Sequence, residues 1–305
     1  MKKYFISFGN KNFINQLDRI CNEAREVGWF NEVIGYTPSK ISNFINDHKE
    51  FFDNNPRGFG YWIWKPFIIL NQLLKMNDED YLFYTDAGSR ILPHRKNKFN
   101  EYLKLLDDQP ILINGEGNNQ PYSCYTQQKF IKLSLLKRFG LESNEEFLGS
   151  SHCESGMIAI RKCNESVKFI KEWLNVILEN NYLFTNDDLG NDKQLGGFIE
   201  HRHDQSILNI LFYKKNYKAL WFEHCYGIGP FFSSRQTDDG YREFCADWFR
   251  AESDYIDNKV HGQLEDYVKS KSNKEWYKKQ RDYNPSVMSS EEDYLEYRKK
   301  IQLNL

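Results

Sequence analysis

The chain has 305 residues, a formal net charge of −2 and 40% hydrophobic residues. That length and apolar fraction suffice for one large domain with a substantial core, or for one domain with an appendage. The near-neutral charge argues against a nucleic-acid-binding protein, because neutralising phosphates requires an excess of Lys and Arg. The six cysteines occur singly, without a Cys-x-x-Cys pair, which argues against a zinc knuckle and is typical of reduced thiols.

The apolar segments of the chain are short. The N-terminal one is too short and too polar for a signal peptide, and none approaches the ~20 residues of a membrane span. We therefore expect a cytoplasmic protein with no membrane span. Peripheral attachment at the cytoplasmic face of the membrane is compatible with this expectation.

Strand and helix patterns alternate through the first third of the chain. In chain order, the predicted elements are a strand at 4–8, a helix at 13–27, a strand at 32–36, helices at 41–52 and 66–74, and a strand at 81–86. This order predicts an α/β fold with a central, mostly parallel sheet and helices packed on it.

The same alternation continues to about residue 240. The further predicted elements are helices at 100–106, 127–139, 165–178 and 204–212, and strands at 111–113, 156–160 and 219–222. Gly140 predicts the end of the 127–139 helix. After Gly240, charged and aromatic residues alternate with few aliphatic ones. We therefore predict one domain over 1–240 and a helical C-terminal extension over 241–305, packed on the core.

The predicted strand at 81–86 ends in a carboxylate. An apolar, aromatic run, YLFYT, leads directly into Asp86, Ala87 and Gly88. Open α/β sheets bind ligands at the carboxyl ends of their strands. A carboxylate there, beside small residues, leaves room for a hard cation and a phosphate. The alternative is an ordinary turn, since Asp and Gly are common turn residues.

Aromatic and basic residues are concentrated in RGFGYWIWKP at 57–66. The two glycines permit a tight backbone path, and the Trp and Tyr rings offer flat surfaces to a base or a sugar. Arg57 and Lys65 are suited to contact a diphosphate. The alternative is that these rings only fill the core.

Two further segments carry polar groups at the ends of predicted elements. EHRHDQSILN at 200–209 places Asp204 at or near the start of an amphipathic helix, with Gln205 beside it. An ordinary helix cap is the alternative. WFEHCYGIGP at 221–230 places His224 at a predicted strand end, before a loop with two glycines. A neutral imidazole there could complete the coordination of a cation.

These segments together resemble the nucleotide-sugar glycosyltransferases of the GT-A fold. YWIWKP at 61–66 with TDAG at 85–88 resembles a group of viral and bacterial glycosyltransferases. HDQSILN at 203–209 is similar to the Asp-Gln helix of the retaining enzymes related to glycogenin. HCYGIGP at 224–230 resembles a shortened form of that family's late His-Gly-Pro loop. The resemblance covers about residues 3–230.

The resemblance implies a GT-A fold and transfer of a hexose from a nucleotide diphosphate sugar, most simply a UDP-sugar. The acceptor would be a hydroxyl of a glycan or glycolipid, in polysaccharide or glycan synthesis. Asp86 and His224 would hold Mn²⁺, which is favoured, or Mg²⁺. Gly88 stands where these enzymes usually have a second Asp, which makes metal dependence an open question. The residues implied to contact the donor are Phe8, Gly9, Tyr36, Arg57, Trp64, Lys65, Asp86, Ala87 and Gly88.

The resemblance also implies that Asp204 and Gln205 are catalytic. Asp204 would be the general base of an inverting enzyme, or Asp204 or Gln205 would support an oxocarbenium-like state in a retaining one. The glycogenin-like spacing favours retention. Glu154 and Glu116 are alternative carboxylates, and Arg235 is an alternative to Lys65 for the sugar-phosphate contact. Two other functions stay open: a non-catalytic carbohydrate-binding or interaction module, and a sugar nucleotidyltransferase, which usually needs two metal-binding carboxylates.

Overall fold

A six-stranded sheet forms the centre of the computed structural model, which describes residues 1–115, 126–221, 223–226 and 229–233. The strands in chain order are β1 (Lys3–Phe8), β2 (Glu32–Tyr36), β3 (Tyr81–Thr85), β4 (Arg90–Ile91), β5 (Ile111–Gly115), β6 (Glu154–Arg161), β7 (Leu220–Trp221) and β8 (Phe231–Phe232). The sheet order is β2-β1-β3-β6-β5-β7, while β4 and β8 form a separate antiparallel pair. In the main sheet β6 runs antiparallel to both of its neighbours, and the other five strands share one direction.

Helices cover both faces of this sheet. In chain order they are α1 (Ile14–Glu26), α2 (Ser42–Asp47), α3 (Lys49–Asn54), α4 (Gly58–Tyr61), α5 (Trp64–Leu73), α6 (Lys96–Asp108), α7 (Gln127–Phe130), α8 (Leu133–Phe139), α9 (Glu145–Gly149), α10 (Asn164–Tyr182), α11 (His203–Lys214) and α12 (Glu223–Tyr226). Among the described residues, none of these helices is both long enough and apolar enough to cross a membrane.

The strand β3 shows how the sheet is buried on both sides. Tyr81 and Phe83 point into a core formed with α1 and α6, whereas Leu82 and Tyr84 point into a larger core formed with α5, α10 and α11. All five residues of β3 are buried, which explains why its sequence is apolar throughout rather than alternating. The predicted α/β class, with a mostly parallel central sheet flanked by helices, is confirmed.

The direction of β6 brings polar residues to one edge of the sheet. The strands β1 and β3 end at this edge, at Phe8 and Thr85, and β6 begins there at Glu154 because it runs the opposite way. The pairing of Thr85 with Met157 places Gly156 beside Asp86, the first residue after β3. Two segments separated by about 70 residues thus meet at the carboxyl edge that ligands use in α/β sheets.

The predicted continuous helix over 127–139 is wrong. The chain is helical in α7 and α8 but extended between them at Ile131 (φ −124°, ψ 121°) and at Lys132. This break sends the Lys132 side chain inward, where its Nζ donates to the backbone oxygens of Asn186 at 2.7 Å and Asp188 at 3.1 Å. Gly140 ends α8 with a left-handed backbone (φ 66°), as its position predicts.

Other predicted elements begin or end at different residues in the structure. The predicted helix at 41–52 is two helices, α2 and α3, separated at His48. The late strand is described only as β7, since Phe222 lies outside the described residues. Glu116, Arg235 and the predicted extension at 241–305 also lie outside them, so the domain boundary near residue 240 stays a prediction.

Candidate active site

A buried lysine lies between two aspartates at the carboxyl edge of the sheet. Lys65, in the first turn of α5, is only 2% exposed. Its Nζ is 3.4 Å from Asp86 Oδ1 and 3.4 Å from Asp204 Oδ2. The same Nζ donates to the backbone oxygen of Ser155 at 3.2 Å and to its Oγ at 3.1 Å. The sequence predicts a diphosphate contact for Lys65; in the structure its ammonium faces the two carboxylates.

Asp204 is the more deeply buried of the two acids. It lies in the first turn of α11, its Oδ2 accepts from Ser155 Oγ at 3.2 Å, and its backbone oxygen accepts from Trp173 Nε1 at 2.8 Å. Burial raises the pKa of Asp204 to about 6, with Asp86 adding to the rise while Lys65 and Ser155 oppose it. Burial outweighs the attraction of Lys65 because this single ammonium is shared with a second carboxylate.

Lys65 stays charged in spite of its burial. Desolvation alone would lower the pKa of this ammonium, but the carboxylates of Asp204 and Asp86 outweigh it and the pKa of Lys65 is raised. One positive charge therefore faces two acidic groups. At neutral pH, above the pKa of Asp204, the three side chains together are negatively charged.

Asp86 presents the accessible carboxylate of this group. Its side chain is 46% exposed. Its Oδ1 accepts from the Tyr84 hydroxyl, whose pKa is held well above its usual value by burial and by Asp86. Its Oδ2 lies 3.3 Å from the point where a Cβ on Gly156 would stand, and His224 Cε1 lies 3.4 Å from that same point. The missing side chain of Gly156 thus leaves room between the Asp86 carboxylate and the His224 ring.

His224 lies in the short helix α12 rather than at a strand end, which corrects the sequence-based placement. Its ring is buried, with Nε2 3.1 Å from Ser89 Oγ and Nδ1 3.1 Å from Glu154 Oε2. Its backbone N–H donates to Asn114 Oδ1 at 3.1 Å. To bind a metal through Nε2, His224 would have to exchange its contact with Ser89.

The residues expected around a nucleotide base meet at the ends of β1 and β2, where they pack against one another. Phe8 stacks on Trp64, with ring centroids 3.9 Å apart, and both rings are buried. The Tyr36 hydroxyl donates to Gln72 Oε1 at 3.2 Å. The N–H of Gly9 donates to the backbone oxygen of Tyr36 at 3.1 Å. One face of Trp64 is therefore covered by protein.

The remaining candidates lie at different depths. Arg57 is half exposed, and its NH2 is 3.3 Å from Glu200 Oε2. Gln205 is half-buried beside Asp204 in α11. Ala87 is buried, and Gly88 follows it in the turn after β3. The structure therefore brings Lys65, Asp86 and Asp204 together, while Arg57 lies against the segment that precedes α11.

Arg19, which no sequence pattern marks as a functional residue, holds the turn after β3. Arg19, on α1, donates from NH2 to the backbone oxygens of Ala87 at 2.9 Å and Ser89 at 2.8 Å. Its NH1 donates to Glu23 Oε1 at 2.8 Å, and Glu23 Oε2 accepts from the Ile91 N–H at 3.0 Å. The i, i+4 spacing of Arg19 and Glu23 suggests only a helix surface pair, so the sequence carries no signal of this contact.

The chain is similar to known proteins in structure but matches none of the compared sequences. No protein-family model and no curated protein sequence matches the chain. One similar structure is mouse xyloside xylosyltransferase 1 in its apo form, with a TM-score of 0.38 and 10% identity over 72% of this chain and 84% of that one. Another is the apo form of the glycosyltransferase GlyE of Streptococcus pneumoniae, with a TM-score of 0.35 and 12% identity over 83% of this chain and 64% of that one.

A third similar structure is a glycosyltransferase involved in the glycosylation of the major capsid of PBCV-1, with a TM-score of 0.34 and 12% identity over 59% of this chain and 69% of that one. Scores and identities at this level are too low to transfer an activity, a donor or an acceptor to this chain.

Replacing Lys65 by Met should destabilise the protein by about 3–5 kcal/mol, because it leaves the buried carboxylate of Asp204 and the half-exposed carboxylate of Asp86 without their cation. The loss should be larger at pH 8 than at pH 5, since protonation of Asp204 removes one of the uncompensated charges. Urea unfolding of the variant at both pH values measures this. The exposed pair of Lys137 and Asp192, 2.7 Å apart, supplies the control. Lys137→Met should cost less than about 1 kcal/mol, and an equal loss in the two variants would contradict the assignment.

Replacing Arg19 by Met should loosen the turn after β3. The Ser89 N–H, which donates to the backbone oxygen of Asp86 at 2.9 Å, should exchange with solvent about tenfold faster or more. Amide exchange followed by NMR or mass spectrometry measures this. Arg25→Met is the matched control, because Arg25 lies on the same helix and its NH1 donates to the nearby Asn22 Oδ1 at 2.8 Å. Unchanged protection of Ser89 in Arg19→Met would show that Arg19 does not hold the turn.

Proposed function

We propose that this protein is a GT-A-type glycosyltransferase that moves a sugar from a nucleotide diphosphate sugar to an acceptor hydroxyl. The observation that carries the proposal is the group of Asp86, Lys65 and Asp204 at the carboxyl edge of the sheet. One carboxylate is accessible, the other is buried with a pKa near neutrality, and a fixed ammonium orients both. A surface that only binds sugars has no need for a buried acid of this kind.

The charge of this group favours a metal-assisted reaction. A diphosphate is negative, and so are the three side chains together, so that a cation is needed between them. Divalent Mg²⁺ is commonly held by one or two carboxylates together with substrate phosphates and water, which suits the single accessible Asp86. The space that Gly156 leaves beside Asp86 Oδ2 fits such a site, and His224 would join it by exchanging the contact of its Nε2 with Ser89. Among the described residues no group of three His, Cys, Asp or Glu side chains is arranged for a metal, so the diphosphate would have to complete the coordination.

When bound, Mn²⁺ or Mg²⁺ would stabilise the negative charge that develops on the departing diphosphate. We propose Mn²⁺ as the preferred ion and a UDP-hexose as the donor. The chain's own part is to hold Asp86 in place through Tyr84, Lys65 and the backbone of Gly156. Arg19 keeps the following turn from moving.

Asp204 is the proposed catalytic carboxylate. A pKa of about 6 keeps it ionised at neutral pH but close enough to neutrality to accept a proton from an attacking hydroxyl. Its Oδ2 is held by Ser155 and Lys65, which fixes the direction of the carboxyl group. The same group could support positive charge on the sugar in a retaining reaction, with Gln205 next to it. The proposed acceptor is a glycan or glycolipid, in polysaccharide or glycan synthesis at the cytoplasmic side.

In the presence of Mn²⁺, the purified protein should hydrolyse at least one UDP- or GDP-sugar or transfer its sugar to an acceptor. Asp86→Asn should lower kcat/KM for that donor on the order of 10²-fold or more. The change is isosteric and keeps an acceptor for Tyr84, so the fold should persist. Asp53→Asn, in an exposed pair with Lys49, is the control and should leave the rate unchanged. No turnover of any nucleotide sugar by the wild type would contradict the proposed function. Normal turnover by Asp86→Asn would contradict its assigned role.

Activity should rise with pH through about 6, because the raised pKa of Asp204 leaves its carboxyl group protonated and inactive below that value. The hydrogen bond from Ser155 lowers the pKa of Asp204, so Ser155→Ala should raise that pKa further. The acid limb of the activity profile of this variant should therefore move to higher pH. A kcat–pH profile of the two proteins measures the shift. An acid limb at the same pH in both would mean that another group titrates.

A further inference from the structure

A run of left-handed backbone lies beside the start of α11. Gly58, Phe59, Gly60, Tyr61 and Trp62 all have positive φ, between 48° and 75°. For residues other than glycine this conformation costs roughly 1–2 kcal/mol each, so surrounding contacts must hold the three aromatic residues in place.

Tyr61 is held by two contacts. Its ring stacks on the ring of His203, with centroids 4.0 Å apart and planes 11° from parallel. Its hydroxyl donates to Asp187 Oδ2 at 2.6 Å. Burial and this hydrogen bond raise the pKa of Tyr61 to about 12, so that the hydroxyl keeps its proton.

His203 carries an unused hydrogen-bonding atom. Its side chain is 1% exposed, and its Nδ1 lies 2.8 Å from the backbone oxygen of Thr185, which can only accept, so Nδ1 bears the hydrogen. Its Nε2 has no hydrogen-bond partner in the described part of the chain and lies 3.7 Å from Asp187 Oδ1. Burial lowers the pKa of His203 to about 4, so at neutral pH the ring is uncharged and Nε2 presents a lone pair.

Two hydrogen-bond acceptors therefore face one another without a donor between them. His203 Nε2 is buried, and a buried acceptor left without a donor costs free energy, whereas the Asp187 side chain is half exposed. A ligand that brings a donor to each atom recovers the cost at Nε2. A single hydroxyl has one hydrogen and satisfies one acceptor. Adjacent hydroxyls on one ring satisfy both, because each can donate to a different atom of the pair.

We propose that Tyr61, Asp187 and His203 bind the acceptor sugar, with two adjacent hydroxyls of its ring donating to His203 Nε2 and to the Asp187 carboxylate. This inference rests on the proposed function and specifies the acceptor as a sugar with a free vicinal diol. His203 directly precedes Asp204, the proposed catalytic carboxylate, in the first turn of α11. The Trp62 ring, 5.9 Å from His203, adds an apolar surface of the kind that sugar rings pack against.

Binding can be tested without turnover on ¹⁵N-histidine-labelled protein, with the His203 signals assigned through a His203→Asn variant. The probes are methyl α-D-glucopyranoside, methyl α-D-mannopyranoside and methyl β-D-galactopyranoside, each with and without UDP and Mn²⁺. Tetrahydropyran-2-methanol, which lacks a vicinal diol, and methylammonium are the comparison probes. We expect at least one glycoside, and neither comparison probe, to shift the Nε2 resonance. A response to methylammonium alone would overturn the proposal in favour of a cation site. No response to any probe would also overturn it, because His203 Nε2 would then bind none of the glycosides.

Kinetics of Asp187→Asn provide the second test. The asparagine keeps an acceptor for Tyr61, but its amide can donate to His203 Nε2 and so fill the position that a sugar hydroxyl would take. The KM for the acceptor should rise about tenfold or more, while donor hydrolysis without acceptor stays at the wild-type rate. Asp192→Asn is the matched control, because Asp192 lies in the same loop and pairs with Lys137 at the surface.

The two proposals fail in different ways. Wild-type protein that neither hydrolyses nor transfers from any nucleotide sugar would remove the proposed function. Wild-type activity with an unchanged acceptor KM in Asp187→Asn would remove only the acceptor site. A tenfold rise in KM in both Asp187→Asn and Asp192→Asn would show an effect of the loop as a whole, and would also overturn the assignment to Asp187.

Discussion

The ammonium of Lys65, buried between Asp86 and Asp204, is the interaction on which the proposed active site depends. Burying an ion pair costs several kcal/mol of desolvation and is tolerated only when geometry and additional hydrogen bonds compensate. Here Ser155 supplies two acceptors to Lys65 and a donor to Asp204. Because the participants come from α5, β6, α11 and the end of β3, one charge fixes four elements relative to one another.

The sheet makes this convergence possible. A strand antiparallel to its neighbours begins where they end, so β6 delivers Ser155 and Gly156 to the edge at which β3 delivers Asp86. The larger core then sets α5 and α11 on the same face, and buried Trp173 of α10 bonds directly to the backbone of Asp204. The packing of the apolar core therefore sets the distances between the charged groups of Lys65, Asp86 and Asp204.

One group of residues with strained backbone meets at His203, the residue before Asp204. The left-handed run that ends at Trp62 brings Tyr61 onto His203, which itself has φ 49°. Strain of this kind persists only where neighbouring contacts outweigh it, and here stacking and the bond from Tyr61 to Asp187 provide them. Gly58 and Gly60 permit the tight backbone path that their sequence predicts, and this path places the rings of Tyr61 and Trp62 beside His203.

The sequence by itself determined the α/β class, most element positions, and the placement of Asp86 at a strand end and Asp204 at a helix start, because each depends on local periodicity and end signals. It did not determine which groups meet. Nothing in the local sequence predicts that Lys65 pairs with Asp86 and Asp204, or that Arg19 donates to the backbone of the turn after β3. The helix predicted over 127–139 is interrupted at Ile131 and Lys132, and the Lys132 ammonium contacts Asn186, more than 50 residues away. Such contacts form only when the sheet and its cores bring remote segments together, so local sequence patterns cannot predict them.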